Sequence, residues 1–129
     1  MAKGESEMLN SERMSPRDLK ERTQQFALRV IRLTRALPNT PEAWVLGKPV
    51  LRSATSVGAN YRSCQRGKSK ADFIAKLAVA EEEADETCYW LELIVAAELL
   101  PQERVELLLN EAREITAILT AAGKTAKQR

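Results

Sequence analysis

Apolar residues recur at alternating steps of three and four positions along most of this chain, and this spacing constrains the fold more than any other feature. Such steps place the apolar side chains along one face of an α-helix. The clearest case extends from Phe73 to Ile94 and contains neither glycine nor proline. We therefore expect a long helix here that buries one face against other helices. Its predicted seam consists of Phe73, Leu77, Ala80, Ala84, Thr87, Leu91 and Ile94.

Three other segments carry a comparable apolar stripe, and short breaks separate them. The first predicted helix runs from Pro16 to about Ala36, the second follows Pro41, and the fourth follows Pro101 and ends at Gly123. Each stripe again has helical spacing. The apolar positions are Leu19, Phe26, Val30, Leu33 and Leu37 in the first, Val50, Ala54, Val57, Tyr61 and Cys64 in the second, and Val105, Leu108, Ala112, Ile115, Leu119 and Ala122 in the fourth.

Glycine, proline and hydroxyl residues predict how these helices begin and end. Gly67 is expected to close the second helix in the left-handed conformation that glycine adopts at such ends. Pro49 has no backbone N–H, so we expect a kink or a break of the second helix near Lys48. Residues that cap free helix amides stand just before three of the predicted helices, at Ser15, Thr40 and Ser69.

Long helices joined by short linkers must run antiparallel to their neighbours. The sequence therefore predicts an all-α protein, an antiparallel up-and-down four-helix bundle that assembles into a homo-oligomer. We expect a flexible N-terminal segment at 1–14, the bundle at 15–123 and a basic C-terminal tail at 124–129. The N-terminus is polar, and no apolar run approaches the length of a membrane span, so we expect a cytoplasmic protein without membrane association.

Charge is strongly segregated between the second and third predicted helices. Residues 43–70 contain six basic side chains and no acid, whereas residues 71–98 contain eight acids and one lysine. In an antiparallel hairpin, Arg52 lies beside Glu83 and one turn from Glu86. One interpretation is that these charges set the register of the helices and the choice of partner, while adding little stability.

A second interpretation is a surface that binds the phosphates of nucleic acid. Arg62, Arg66, Lys68 and Lys70 cluster at the predicted turn, and basic side chains also follow the first helix. Clusters of this kind neutralise phosphates. This alternative makes the chain an RNA- or DNA-binding accessory protein that uses basic helices 1 and 2. The basic residues of the tail that would extend the surface are Lys124, Lys127 and Arg129.

The residue composition argues against an enzyme. The chain contains no histidine, so neither a di-iron Glu-x-x-His site nor a histidine-activated nucleophile can form. Cys64 and Cys88 lie inside helical patterns and lack the spacing of a zinc or redox motif. We expect no catalytic residue, no metal and no cofactor.

Large aromatic residues suggest an interface between subunits. Tyr89 lies away from the predicted seam of the third helix and Trp90 flanks it, with Trp44 near the other end of the hairpin. Tyrosine and tryptophan are enriched in the cores of protein interfaces. The alternative is that Trp90 only closes the edge of the core, and both interpretations remain open from the sequence.

Three stretches carry a family likeness, which read RSATSVGAN on the second helix and SKADFIAKL and EADETCYWLEL on the third. They resemble a bacterial family known as four-helix bundle proteins, first noticed as reading frames in intervening sequences of 23S ribosomal RNA genes. The resemblance implies a left-handed up-and-down bundle, often a homopentameric ring, with no established activity. The matching positions are Arg52, Ser53, Ser56, Asn60, Phe73, Glu83, Glu86, Tyr89, Trp90 and Leu91.

Taken together, these patterns predict a non-enzymatic bundle that serves as an interaction or scaffold module. Its expected partner is itself, as a homo-oligomer with a pentamer as the implied form, and nucleic acid or another protein is the alternative partner. The residues predicted to pair the helices or to contact another subunit are Arg52, Asn60, Glu83, Glu86, Tyr89 and Trp90.

Overall fold

A computed structural model describes residues 15–129 of the chain. It contains four α-helices and, within this range, no β-strand. Each helix contacts the next along the chain and α4 returns to α1, while no backbone contact joins the diagonal pairs. The predicted all-α, up-and-down four-helix bundle is confirmed, and the segment predicted at 1–14 lies outside the described residues. The helices are α1 (Pro16–Arg35), α2 (Pro41–Cys64), α3 (Lys70–Ala96) and α4 (Gln102–Gln128).

Hydroxyl side chains cap the first three helices at the predicted positions. The side chains of Ser15, Thr40 and Ser69 accept hydrogen bonds from the backbone N–H groups three residues ahead. These contacts satisfy amides that have no acceptor within the helix. The Asp72 carboxylate also accepts a bond of 3.2 Å from the Lys68 amide, which fixes the chain entering α3.

The core follows the predicted seams. Thr87 is a seam residue of α3 and is fully buried. Its hydroxyl donates to the Ser53 hydroxyl of α2 at 2.8 Å and lies 2.8 Å from the Glu83 carbonyl, so this polar group is satisfied inside the bundle. The largest buried apolar side chains come from α1, α3 and α4 and are Phe26, Leu77, Leu91, Ile94, Ile115 and Leu119.

Helix α2 is continuous through Pro49, so the predicted break near Lys48 is absent. Proline removes one bond, to the carbonyl four residues earlier at Val45. Val45 is 68% exposed, so this residue lies on the solvent-facing side of the helix. Leu46 and Val50 are buried on either side of the missing bond, and their packing holds the helix together.

Two glycines behave differently from the prediction. No described glycine has a positive φ, so Gly67 is not a left-handed cap. A Cβ at Gly67 would lie 3.1 Å from both the Cys64 carbonyl oxygen and the Phe73 nitrogen. This close packing explains why the residue is glycine. Gly123 does not end α4, which continues to Gln128. A glycine inside a helix costs only about 1 kcal/mol, and the residues after it favour helix. The segment predicted as a tail at 124–129 is therefore helical almost to its end.

Candidate interface on helices α2 and α3

An ion-pair network joins the outer surfaces of α2 and α3. The Arg52 guanidinium donates from Nη1 to Glu83 Oε2 and from Nη2 to Glu86 Oε1, both at 3.0 Å. The hydrogen bonds that Arg52 donates to Glu86 and then to Glu83 raise its pKa above the ordinary value. Arg52 and Glu83 stand at the same height of the antiparallel hairpin, which is the juxtaposition expected from the sequence. The pair therefore joins the two helices at the same height within one chain.

Trp90 is tied to the same network. Its indole Nε1 donates to Glu86 Oε1 at 3.1 Å, and its half-buried ring packs against the core. This indole bond, followed by the Arg52 contact, lowers the pKa of Glu86. Trp90 thus closes the edge of the core, which is one of the two interpretations from the sequence. Packing against the core and the bond to Glu86 together fix the orientation of its ring.

Tyr89 differs from Trp90 because most of its side chain faces solvent. It is 56% exposed, and its ring meets the Trp90 ring edge-on with 5.0 Å between centroids. Aromatic rings favour this T-shaped arrangement. A tyrosine held against an anchored tryptophan is a rigid, exposed apolar surface.

Two further exposed side chains lie at the same end of the hairpin, and one of them is Trp44, which was expected near the other end. Trp44 is 64% exposed and Val45 68% exposed, and the Lys48 ammonium lies 4.9 Å from the centroid of the Trp44 ring. In the register fixed by Arg52 and Glu83, Val45 stands level with Trp90. We call the four residues Trp44, Val45, Tyr89 and Trp90 the apolar patch.

Asn60, predicted to pair helices or contact a subunit, bonds within its own helix. Its side-chain Nδ2 donates to the Ser56 carbonyl at 2.8 Å, and the side chain is half-buried. The Ser53–Thr87 bond lies beneath the network and was not foreseen as a pair. The signal was present, because both are hydroxyl residues at buried positions of facing helices.

The four basic residues predicted to bind phosphates lie at the opposite end of the hairpin from the apolar patch. Arg62, Arg66, Lys68 and Lys70 are all exposed there. The Lys70 ammonium donates to the backbone carbonyl of Arg129 at 2.5 Å, which brings the end of α4 to this turn.

A second ion-pair cluster, not predicted from the sequence, joins α1 to α4. Arg22 donates from Nε and Nη2 to the two carboxylate oxygens of Glu111 at 2.9 and 2.8 Å, and Nη2 also lies 2.9 Å from Glu114. The Glu111 bond is the main cause that raises the pKa of Arg22. The sequence gives no sign of this cluster, because α1 and α4 are far apart along the chain and the sequence does not show which of their residues lie side by side.

The remaining reactive side chains are enclosed. Cys64 and Cys88 are both buried free thiols, and burial raises the pKa of each. Burial also raises the pKa of Tyr61 to about 12. Within residues 15–129, no group of three or more His, Cys, Asp or Glu side chains is arranged to hold a metal ion.

Comparison with known proteins places the chain in a family. The family model described as 23S rRNA-intervening sequence protein matches residues 17–121. The chain belongs to this family. A crystal structure of a protein of unknown function, from the S23 ribosomal protein family of Bacteroides thetaiotaomicron VPI-5482, is also similar. The two are 40% identical with a TM-score of 0.77, over 82% of this chain and 98% of that chain.

The match to the 23S rRNA-intervening sequence protein family covers α1, α2, α3 and most of α4. The apolar patch and the Arg52 network lie inside the matched range, whereas Lys124, Lys127 and Arg129 lie beyond it. No curated protein sequence matches this chain. Among its described helices, none is both long and apolar enough to cross a bilayer.

Proposed function

We propose that this member of the 23S rRNA-intervening sequence protein family is a non-enzymatic interaction module that associates with copies of itself through the apolar patch. The observation that carries the proposal is the exposure of Trp44, Val45 and Tyr89, each more than half accessible, at one end of the α2–α3 hairpin. Large apolar side chains that remain exposed on a helical bundle mark sites of protein association.

The geometry of Tyr89 and Trp90 suits an interface anchor. Trp90 is held by core packing and by its bond to Glu86, and Tyr89 packs edge-on against it. A side chain that is already ordered loses little conformational entropy when a partner binds. The Arg52 contacts lie alongside and keep α2 and α3 in register, so the patch is presented on a rigid surface.

Charge complementarity favours a second copy of the chain as the partner. The exposed acids Glu82 and Asp85 on α3 make no ion pair with a described residue. Lys48 on α2 is likewise without an acidic partner among them. Opposite charges left unpaired on two faces of one chain can pair between copies, which steers association and fixes orientation. The family resemblance favours a ring of five copies.

Support for a non-enzymatic role comes from the side chains that could act as nucleophiles. An activated cysteine has a depressed pKa and some exposure. Cys64 and Cys88 have the opposite properties, since both are buried and their pKa values are raised. The chain also contains no histidine to act as a general base.

Light scattering on variants tests the proposal. The double variant Val45→Ser/Tyr89→Ser removes the most exposed large apolar side chain of α2 and that of α3. It should convert the assembly to a monomer of about 14.4 kDa. Leu107→Ser is the matched control, because Leu107 is 74% exposed but lies on α4. It should leave the mass of the assembly unchanged.

Two results would contradict the proposal. One is a double variant that keeps the mass of the unmodified protein while its circular dichroism spectrum remains helical. The other is a monomer produced by Leu107→Ser alone, which would move the interface from the apolar patch to α4.

A further inference from the structure

Seven basic side chains meet at the end of the bundle opposite the apolar patch. The antiparallel order of the helices brings the end of α2, the following turn and the end of α4 to this one place. The Lys70–Arg129 contact at 2.5 Å joins the turn directly to α4. We call this surface the basic end, and its residues are Arg62, Arg66, Lys68, Lys70, Lys124, Lys127 and Arg129.

The helical extension of α4 creates this surface. Because α4 continues past Gly123 to Gln128, Lys124 and Lys127 are held on a helix beside α3. The two lysines line the groove between α3 and α4 together with Gly123. The basic end therefore includes Lys124, Lys127 and Arg129, the residues predicted to extend the surface, now placed on and just after α4. Helix 1 was also predicted to take part, but none of the seven residues lies on α1.

Most of these cations have no acidic partner. The side chains of Arg62, Arg66, Lys68, Lys124 and Lys127 make no ion pair with any residue from 15 to 129. The acids nearby are bonded to other groups. Glu81, which lines the same groove as Lys124 and Lys127, accepts a hydrogen bond from the Thr120 hydroxyl. Asp72 bonds to Lys76 at 3.1 Å and to the Lys68 amide, and these two contacts lower the pKa of its carboxyl group. Asp18 bonds to Ser15 at the start of α1.

We infer that the basic end binds the phosphate backbone of nucleic acid. A set of unpaired Arg and Lys side chains spread over two helix ends and a turn matches several phosphates in a row better than one small anion. Each such contact releases counterions from the nucleic acid, which makes binding favourable at low salt. This site goes beyond the proposed self-association and is separate from it. Tyr89 lies 19 residues from Lys70 along α3, or about 28 Å at the rise of an α-helix.

The surroundings of the basic end favour nucleic acid over a membrane surface. Stable binding to anionic lipid needs apolar side chains that insert beside the basic ones. Five of the large exposed apolar residues of the described chain lie away from this end, at Leu28, Trp44, Val45, Tyr89 and Leu107. Val79 on α3 lies nearer, but it is a single side chain and is only 40% exposed.

The same surroundings predict binding that does not depend on base sequence. Bases are held by stacking on exposed aromatic rings or by contacts to their edges. At this end Tyr61 is buried and Phe73 half-buried against the core, so neither offers a free ring face. The basic end therefore contacts the phosphate backbone of the nucleic acid and makes no sequence-specific contact with the bases.

Fluorescence anisotropy with short duplexes tests the inference on the full chain. Labelled RNA and DNA duplexes of two unrelated sequences should bind with similar affinity. If four phosphates are contacted, affinity should fall about 100-fold between about 50 and 200 mM salt. The RNA and DNA arms show whether the 2′-hydroxyl contributes to binding.

Two quadruple variants with equal charge separate this site from the net charge of the protein. Arg62→Gln/Arg66→Gln/Lys124→Gln/Lys127→Gln removes four cations from the basic end and should weaken binding more than tenfold. Arg29→Gln/Arg32→Gln/Arg35→Gln/Arg104→Gln removes four from the exposed surfaces of α1 and α4, outside both proposed sites, and should change it less than threefold. Light scattering on both variants reports self-association separately.

Several outcomes would overturn the inference. These are absence of binding by the unmodified protein at 50 mM salt, an equal loss of affinity in both variants, and equally tight binding to phosphatidylcholine–phosphatidylserine vesicles. Loss of binding together with loss of assembly in the basic-end variant would also contradict a direct contact. Failure of self-association in the unmodified protein, with binding intact, overturns the proposed function and leaves the basic end supported.

Discussion

Glu98 holds the most unusual backbone position of the described chain. Its φ of 59° is the only positive value at a non-glycine residue there. The Glu98 amide donates to Val95 and the Leu99 amide to Ile94, at 3.0 and 3.1 Å, which is the paired pattern of a Schellman motif at the end of α3. An L-residue with a Cβ is strained by about 1–2 kcal/mol in this left-handed region.

Glu98→Gly should therefore stabilise the protein. Glycine adopts the left-handed conformation without the Cβ clash, and its greater freedom in the unfolded chain offsets part of the gain. We expect the free energy of unfolding in urea, followed by circular dichroism, to rise by about 0.5–1 kcal/mol. Glu98→Ala keeps the Cβ and removes the charge, so it should give no comparable gain. Equal stabilisation by both variants would assign the effect to charge instead of backbone strain.

At this scale the sequence predicts caps well and strained positions poorly. Ser15, Thr40 and Ser69 are recognisable because a hydroxyl before an apolar period has a local role. Glu98 carries no such signal, since a left-handed glutamate is imposed by the packing of Leu99 and the neighbouring helices. Thr87 was correctly assigned to the seam, but its hydroxyl partner Ser53 depends on the register between two helices.

Helix α4 continues beyond a glycine, a residue that commonly ends helices. Gly123 lies within the helix, and a Cβ built there meets no atom within 4 Å. Gly123→Ala should raise the free energy of unfolding by about 0.5–1 kcal/mol, because alanine loses less backbone entropy in a helix. Thermal or urea denaturation measures the change. No gain would mean that 124–128 is not helical in solution, which would also remove Lys124 and Lys127 from the basic end.

The ion-pair cluster around Arg22 is expected to stabilise the contact between α1 and α4. Arg22 and Glu111 are both largely buried, with side-chain exposures of 22% and 18%, and they share two short bonds. Arg22→Gln should lower the free energy of unfolding by about 1–2 kcal/mol, because charged hydrogen bonds are lost and Glu111 is left partly desolvated.

The comparison for this prediction is the ion pair between α3 and α4. Arg113 lies 3.9 Å from Glu92, and both side chains are about half exposed. Arg113→Gln should therefore cost less than about 0.5 kcal/mol. A double-mutant cycle of Arg22 with Glu111 isolates the pair energy, and a coupling no larger than that of Arg113 with Glu92 would contradict the expected difference.

The elements themselves were largely predictable because three-and-four periodicity and short linkers leave few alternatives. The wrong predictions concern proline and glycine, the residues that commonly interrupt helices. Pro49 was expected to disrupt α2, yet burial of Leu46 and Val50 on either side outweighs one lost hydrogen bond. Gly123 was expected to end α4, yet the helical preference of the residues around it prevails. In both cases the context over several turns decides, and a single residue does not.

For the whole molecule, the sequence predicts which helices lie side by side better than it predicts which surface residues come together. Charge segregation placed Arg52 opposite Glu83 and Glu86, and the structure has these contacts. The apolar patch needed three-dimensional information, because only the register of the bundle places Val45 level with Trp90. The basic end was predicted in part, because Lys124, Lys127 and Arg129 were expected to extend the surface at the α2–α3 turn. The two opposite ends of the bundle therefore carry the two proposed roles, self-association and phosphate binding.

The most direct test of the central claim is the native mass of the unmodified chain at micromolar concentration. Native mass spectrometry, or light scattering after gel filtration, should give a whole multiple of 14.4 kDa, with five copies as the form that the family resemblance favours. A single species of 14.4 kDa would contradict self-association through the apolar patch.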